Sequence, residues 1–270
     1  MRAALLTEYR KLVTTRLWWV LLVAMALVMV FMGASLAFTF SVPADQGGMG
    51  GGEGLPALTP TDVALSVYSV AAGFGYVFPV VVGALAVTGE LRHMTITPTL
   101  LAEPRRGVVL GAKLLAALPV GLLFGLVGTA ATVAGGATVL TLTGGETALG
   151  EPEVLRGLAL SVLALGLWAV LGVGFGTVLT NQVAAVVVVL AYNQLVEPLL
   201  RLFLGSLEWG QPVTRFLPGA AAEALVGSSI YTAVGAGDLL EWWQGGLVLA
   251  AYALVLAAIG RATTFRRDIT

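Results

Sequence analysis

Residues 17–40 read LWWVLLVAMALVMVFMGASLAFTF, 24 residues without a charge. At 1.5 Å of rise per residue such a run makes a helix of about 36 Å, enough to cross a hydrocarbon core of about 30 Å. Working outward, five further apolar stretches are predicted to span: residues 63–88, 114–143, 157–180, 183–204 and 242–260. The first run is preceded by positive charge and ends near Ala34-Ser35-Leu36-Ala37, as a signal peptide would. Its length exceeds the roughly 7–15 residues of a signal core, so it is read as a retained first span.

Composition agrees. Of the 270 residues, 58% are hydrophobic and 11% charged, against about 25% charged in soluble domains. Lipid is therefore the expected solvent. The net charge of -1 argues against a nucleic-acid partner. With no cysteine there is no disulfide, thiolate metal site or cysteine nucleophile. Twelve arginines against two lysines fit a GC-rich bacterial genome.

The charges between the runs alternate in sign. Arg2, Arg10, Lys11, Arg16, Arg92, Arg105, Arg106, Lys113, Arg261, Arg266 and Arg267 share one set of segments, with only Glu8, Glu90, Glu103 and Asp268 among them. The other set holds the remaining acids and only Arg156, Arg201 and Arg215. Lysine and arginine are retained on the cytoplasmic side. Six spans with both termini cytoplasmic, in a bacterial plasma membrane, is the predicted topology. Trp18 and Trp19 mark the inner edge of the first span, and Trp242 and Trp243 the outer edge of the sixth.

Local patterns refine this. Leu5, Leu6, Tyr9, Leu12 and Val13 share one face of a short helix, with Arg10 and Lys11 opposite. Residues 1–16 are thus expected to lie in the interface, basic face toward headgroups, and residues 17–270 to form the six-span domain. Gly47 to Gly52 read as flexible linker, and Asn181-Gln182 as a tight hairpin turn. Pro79 and Pro119 are expected to kink their spans. The fifth run is uncharged for only 14 residues before Glu197-Pro198, so this helix is expected to end near Glu197. Short helices dipping back into the outer leaflet would follow, one of them opened by Pro218. Glu197 and Arg201, at i and i+4, can pair; they are either a brace at a helix break or a substrate or gating element.

The absences narrow the chemistry. Neither Lys11 nor Lys113 is followed by Ser or Thr, so there is no Walker A loop. The single histidine, His93, reads as a solvated loop residue, leaving no histidine metal site or triad. The Gly172/Gly176 and Gly121/Gly125 pairs read as close helix contacts. With few intramembrane charges to couple an ion, the design expected is a passive pathway powered from outside the chain. Tyr76, Phe78, Tyr192 and Asn193 are candidate pathway residues.

The loop from Gly89 to Lys113 is where power would enter. Thr97 is a candidate N-cap with Pro98 at the first helical position, and Pro104 favours the helix end. Thr97, Pro98, Thr99, Leu100, Leu101 and Glu103, flanked by Arg105 and Arg106, form either a docking helix with an apolar face or an ordinary interfacial helix.

This loop, with its Glu90-x-Arg92, Thr95-Ile96, Thr99-Leu100-Leu101 and Pro104-Arg105-Arg106 elements, resembles the cytoplasmic signature of bacterial ABC transporter permeases of the type-2 exporter class. Glu8-Tyr9-Arg10-Lys11-Leu12, Glu197-Pro198-Leu199-Leu200, Phe216-Leu217-Pro218-Gly219-Ala220 and Phe265-Arg266-Arg267-Asp268 also fit, so the resemblance covers nearly the whole chain. Members usually carry glycine where this chain has Met94. The resemblance implies an all-α permease with re-entrant outer helices after the fifth span. A second permease copy and two ATPase subunits carrying ATP and magnesium would complete it. Arg2 to Thr14 would be its connecting helix and Thr97 to Glu103 its coupling helix, and the groove between permeases would be lined by spans one, two and five. An apolar groove favours a hydrophobic or amphipathic cargo such as a drug, lipid or peptide; a fold alone does not name it. A carrier or channel acting alone, and a membrane scaffold or immunity-type protein, are the alternative readings.

Overall fold

A computed structural model describes residues 2–42, 48, 58–207, 209–229 and 238–266. The glycine-rich stretch read as a linker, apart from Gly48, and the closing Arg267-Asp268 lie outside these residues. The regular structure among the described residues is all helical, without a strand. Six helical stretches are long and apolar enough to cross a membrane: Leu17–Ser41, Pro60–Arg92, Arg106–Leu142, Pro152–Val178, Gln182–Gly205 and Trp242–Ala262. They match the six expected runs.

The elements are α1 (Arg2–Thr14), α2 (Leu17–Ser41), α3 (Pro60–Phe74), α4 (Val77–Arg92), α5 (Ile96–Ala102), α6 (Arg106–Leu142) and α7 (Pro152–Val178). There follow α8 (Gln182–Ala191), a π turn (Tyr192–Val196), α9 (Glu197–Gly205), α10 (Gln211–Thr214), α11 (Pro218–Val226) and α12 (Trp242–Ala262). Helix starts are set by local chemistry. Thr59 and Asp62 form a reciprocal capping box ahead of α3, with Pro60 at the first position. The Asn181 side chain accepts from the amides of Val183 and Ala184 and so opens α8.

α7 is the central pillar and packs against α6, α4 and α12. Within lipid an apolar exterior is not penalised, so association rests on close van der Waals contact between small residues. The glycine pairs supply it. A Cβ on Gly172 would run into the Val80 carbonyl and one on Gly176 into the Ala84 carbonyl, which brings α7 against α4. Gly121 and Gly125 likewise bring α6 against Ala169 and Val162 of α7. α2 packs on α6 through Met25, Met29, Gly33 and Ala37, one face at four-residue spacing. Its other face, with Leu27 and Phe31, is exposed.

The kink expected at Pro79 appears as a break one turn earlier: the second span is two helices, interrupted at Gly75-Tyr76. Pro79 has no N–H for the Gly75 carbonyl four residues back, and that carbonyl instead accepts from Phe78 at 3.2 Å. Other expectations are corrected or refined. Pro119 lies inside α6, which stays helical from Arg106 to Leu142. The third span begins at Arg106, eight residues before its apolar run, because Lys113 is paired inside the protein. The fifth span does not end near Glu197 but continues to Gly205. The π turn accommodates Pro198: the Glu197 amide reaches back five residues to the Tyr192 carbonyl, widening the turn that the proline ring would otherwise crowd. Residues 179–181 make the expected short turn, yet α8 packs mainly on α4. Thr97 is not an N-cap: α5 starts at Ile96, so Pro98 is its third residue, still within the turn whose amides need no helical partner.

Candidate functional site

Two buried charge clusters lie toward opposite ends of the bundle. At the end carrying the basic loops, four elements meet on the chain's two lysines. Lys113 of α6, fully buried, binds Glu8 of α1 at 2.6 Å and Glu90 of α4 at 2.8 Å, and donates to the Ala86 carbonyl at 3.0 Å. Lys11 of α1 binds the same two carboxylates at 2.8 Å each and donates to Thr99 Oγ1 of α5 at 2.9 Å. Two ammonium and two carboxylate groups make the cluster neutral, the condition for burying charge away from water. Partial burial pushes the Lys11 ammonium down, but the bonds and charges of Glu8 and Glu90 outweigh this and hold it above the ordinary lysine range.

The cluster corrects one part of the reading of α1: Lys11, expected on the outer basic face with Arg10, turns inward to Glu8 and Glu90. Glu8 and Lys11 face the protein, while Leu6, Tyr9 and Arg10 are exposed and Leu5 is half-buried. Of the apolar set, Leu12 packs against the core while Leu6 and Tyr9 stay exposed.

α5 is held between these groups. Ile96 is buried, and Leu100 packs against the cluster that includes Val87, Ile96, Leu110 and Phe265. Leu101 points the other way, 78% exposed, beside exposed Thr97 and Pro98. The two leucines therefore do not share a contact face; Leu101 alone presents one. Glu103 closes α5 and takes Arg105 in two parallel bonds of 2.8 and 3.0 Å, which holds its carboxyl down to about 2. Arg106 turns away and donates to the Phe265 carbonyl. His93 is exposed, as expected.

In the other half of the bundle the Glu197–Arg201 pair forms at 2.7 Å. It is part of a larger assembly. Glu197 also accepts from the amides of Gly219 and Ala220, both at 2.9 Å, at the N-terminus of α11. A Cβ on Gly219 would strike the Glu197 carboxylate, so glycine permits this approach. Arg201 reaches on to Glu223 at 2.8 Å, which accepts from Ser229 Oγ at 2.5 Å. The fifth span is thus braced to α11.

This assembly edges a cavity of about 320 Å³ that also includes Tyr76, Trp168 and Asn193. The Tyr76 and Trp168 rings stack at 4.5 Å between centroids. The candidate residues Tyr76, Asn193, Glu197 and Arg201 come together here. Phe78 and Tyr192 do not line this cavity; Phe78 is partly buried against the core. Trp168 and Glu223 escaped sequence reading, since each sits in an unremarkable apolar run whose rotation only packing sets. No group of three or more His, Cys, Asp or Glu able to hold a metal occurs among the described residues.

No protein-family model matches this chain, and no curated protein matches it.

Proposed function

We propose that this chain is the membrane permease subunit of an ATP-driven exporter of the type-2 class. In this reading the end with the basic loops is cytoplasmic. α1 is the connecting helix, α5 the coupling helix, and α11 a re-entrant helix in the outer leaflet. Two such chains and two separate ATPase subunits, which bind ATP and magnesium, form the working complex. A hydrophobic or amphipathic compound is the cargo.

The observation that carries the reading is the placement of α5. It is short, it joins two spans at the basic end, and its Thr99 is tied through Lys11 to both carboxylates of a buried ion cluster. A push on Leu101 would be transmitted to α1, α4 and α6 together rather than lost in a loose loop. Leu101→Asp tests it. In membranes from the native host the tagged wild-type chain should co-purify an ATPase subunit and support ATP-dependent efflux. The variant should insert normally yet lose both. Unchanged efflux and co-purification would remove the coupling role.

A carrier acting alone is the second reading, favoured by Glu197, Arg201 and Glu223 at the cavity edge. It gains if the wild-type chain co-purifies no ATPase and its transport collapses with a protonophore.

A further inference from the structure

Three polar atoms at the cavity have no partner among the described residues: Tyr76 Oη, Trp168 Nε1 and Asn193 Oδ1. Their residues are 4%, 0% and 9% exposed. Buried polar atoms in folded proteins are almost always hydrogen-bonded, so three orphans around one space point to a partner from outside the chain. The cavity's about 320 Å³ falls at the small end of ligand sites, which run about 300–1,000 Å³. Val70, Phe74, Ala222 and Val226 give it apolar walls, which suit an organic body better than a water cluster.

Charge selects the ligand further. Glu197 is balanced by Arg201 and by the amides that open α11. Among the described residues, Glu223 takes a share of the same guanidinium and the Ser229 hydroxyl. Among the described residues two carboxylates stand against one guanidinium at this edge, an acidic excess, and Asn193 Oδ1 adds an unpartnered acceptor. Trp168 Nε1 can only donate, so it calls for an oxygen on the ligand.

We infer that this cavity, lined within one chain by α3, the α3–α4 break, α7, the π turn, α9 and α11, binds a small amphipathic ammonium compound. The ammonium lies against Asn193 Oδ1 and the Glu223 edge. An oxygen of the ligand meets Trp168 Nε1 and the Tyr76 hydroxyl, and the apolar body fills the remainder. Only the fate of the ligand rests on the exporter reading; its binding does not.

The test is calorimetric titration of the full chain in nanodiscs of neutral phosphatidylcholine, with empty nanodiscs subtracted. Three probes share one shape: 3-phenoxypropylammonium, 3-phenoxypropanol and 3-phenoxypropanoate. The ammonium probe should saturate one site per chain, and the alcohol and the anion should bind at least about tenfold more weakly, the worth of one charge-assisted hydrogen bond. Asn193→Leu, which leaves the brace intact, should weaken the ammonium probe by about tenfold. Glu223→Gln should abolish its advantage over the alcohol. Absence of saturable binding, equal binding of the three probes, a preference for the anion, or an unaffected Asn193→Leu chain would each overturn the inference. Saturable ammonium binding without ATP-dependent efflux would overturn the exporter reading and leave this site standing.

Discussion

Replacing Lys113 with methionine should be among the most damaging single changes available in this chain. The side chain is fully buried, and its ammonium stands between Glu8 and Glu90, which are 4% and 8% exposed. Methionine keeps most of the volume but leaves two carboxylates to share Lys11. Breaking a buried ion pair from one side costs about 3–5 kcal/mol, because the remaining charge is uncompensated. The lost bond to the Ala86 carbonyl adds about 1 kcal/mol. Charge balance makes a sharper demand. Glu8→Gln added to Lys113→Met leaves Lys11 against Glu90, one charge of each sign, and should restore about 1–3 kcal/mol. Unfolding in mixed micelles titrated with dodecyl sulfate, followed by tryptophan fluorescence, measures both differences. Amide exchange in α1 should quicken in the single variant and slow again in the double. A loss below about 1 kcal/mol in the single variant, or a double variant no better than the single, would refute the neutral-cluster account.

Two further outcomes are expected. Met94 is 57% exposed with φ 54°, a left-handed conformation that costs a residue with a Cβ about 1–2 kcal/mol. Met94→Gly should therefore stabilise the chain by about 0.5–1 kcal/mol after glycine's greater unfolded-state entropy is subtracted, and a fall in stability under the same titration would contradict this. Cysteine placed at His93 should resist an impermeant thiol reagent in intact cells, whereas cysteine at Glu146 should label; the reverse pattern would invert the proposed orientation.

Much of the architecture was legible because its signals are local. A run such as residues 17–40 is set by length and apolarity alone. The Gly172/Gly176 pair declared a close contact and Glu197–Arg201 an ion pair, since residues three or four apart on a helix are neighbours whatever surrounds them. Even the charges that broke the alternation left a trace: Glu8 and Glu90 stand among basic residues because they neutralise Lys11 and Lys113, and Arg201 stands among acids because it answers Glu197 and Glu223.

Tertiary structure alone decided who those partners were. Lys113 and Glu8 are 105 residues apart, and Arg201 and Glu223 are joined across two helices. Such pairings depend on how each helix is rotated about its axis, which periodicity does not report when every face is apolar. The same ignorance of rotation put Lys11 on the outer face of α1, put Leu100 and Leu101 on one surface, and hid Trp168 and Glu223 from the cavity they complete. In a lipid-solvated bundle apolarity says where a helix runs. Which side of it meets its neighbours is settled by small residues, buried charges and the bends at Gly75 and the π turn.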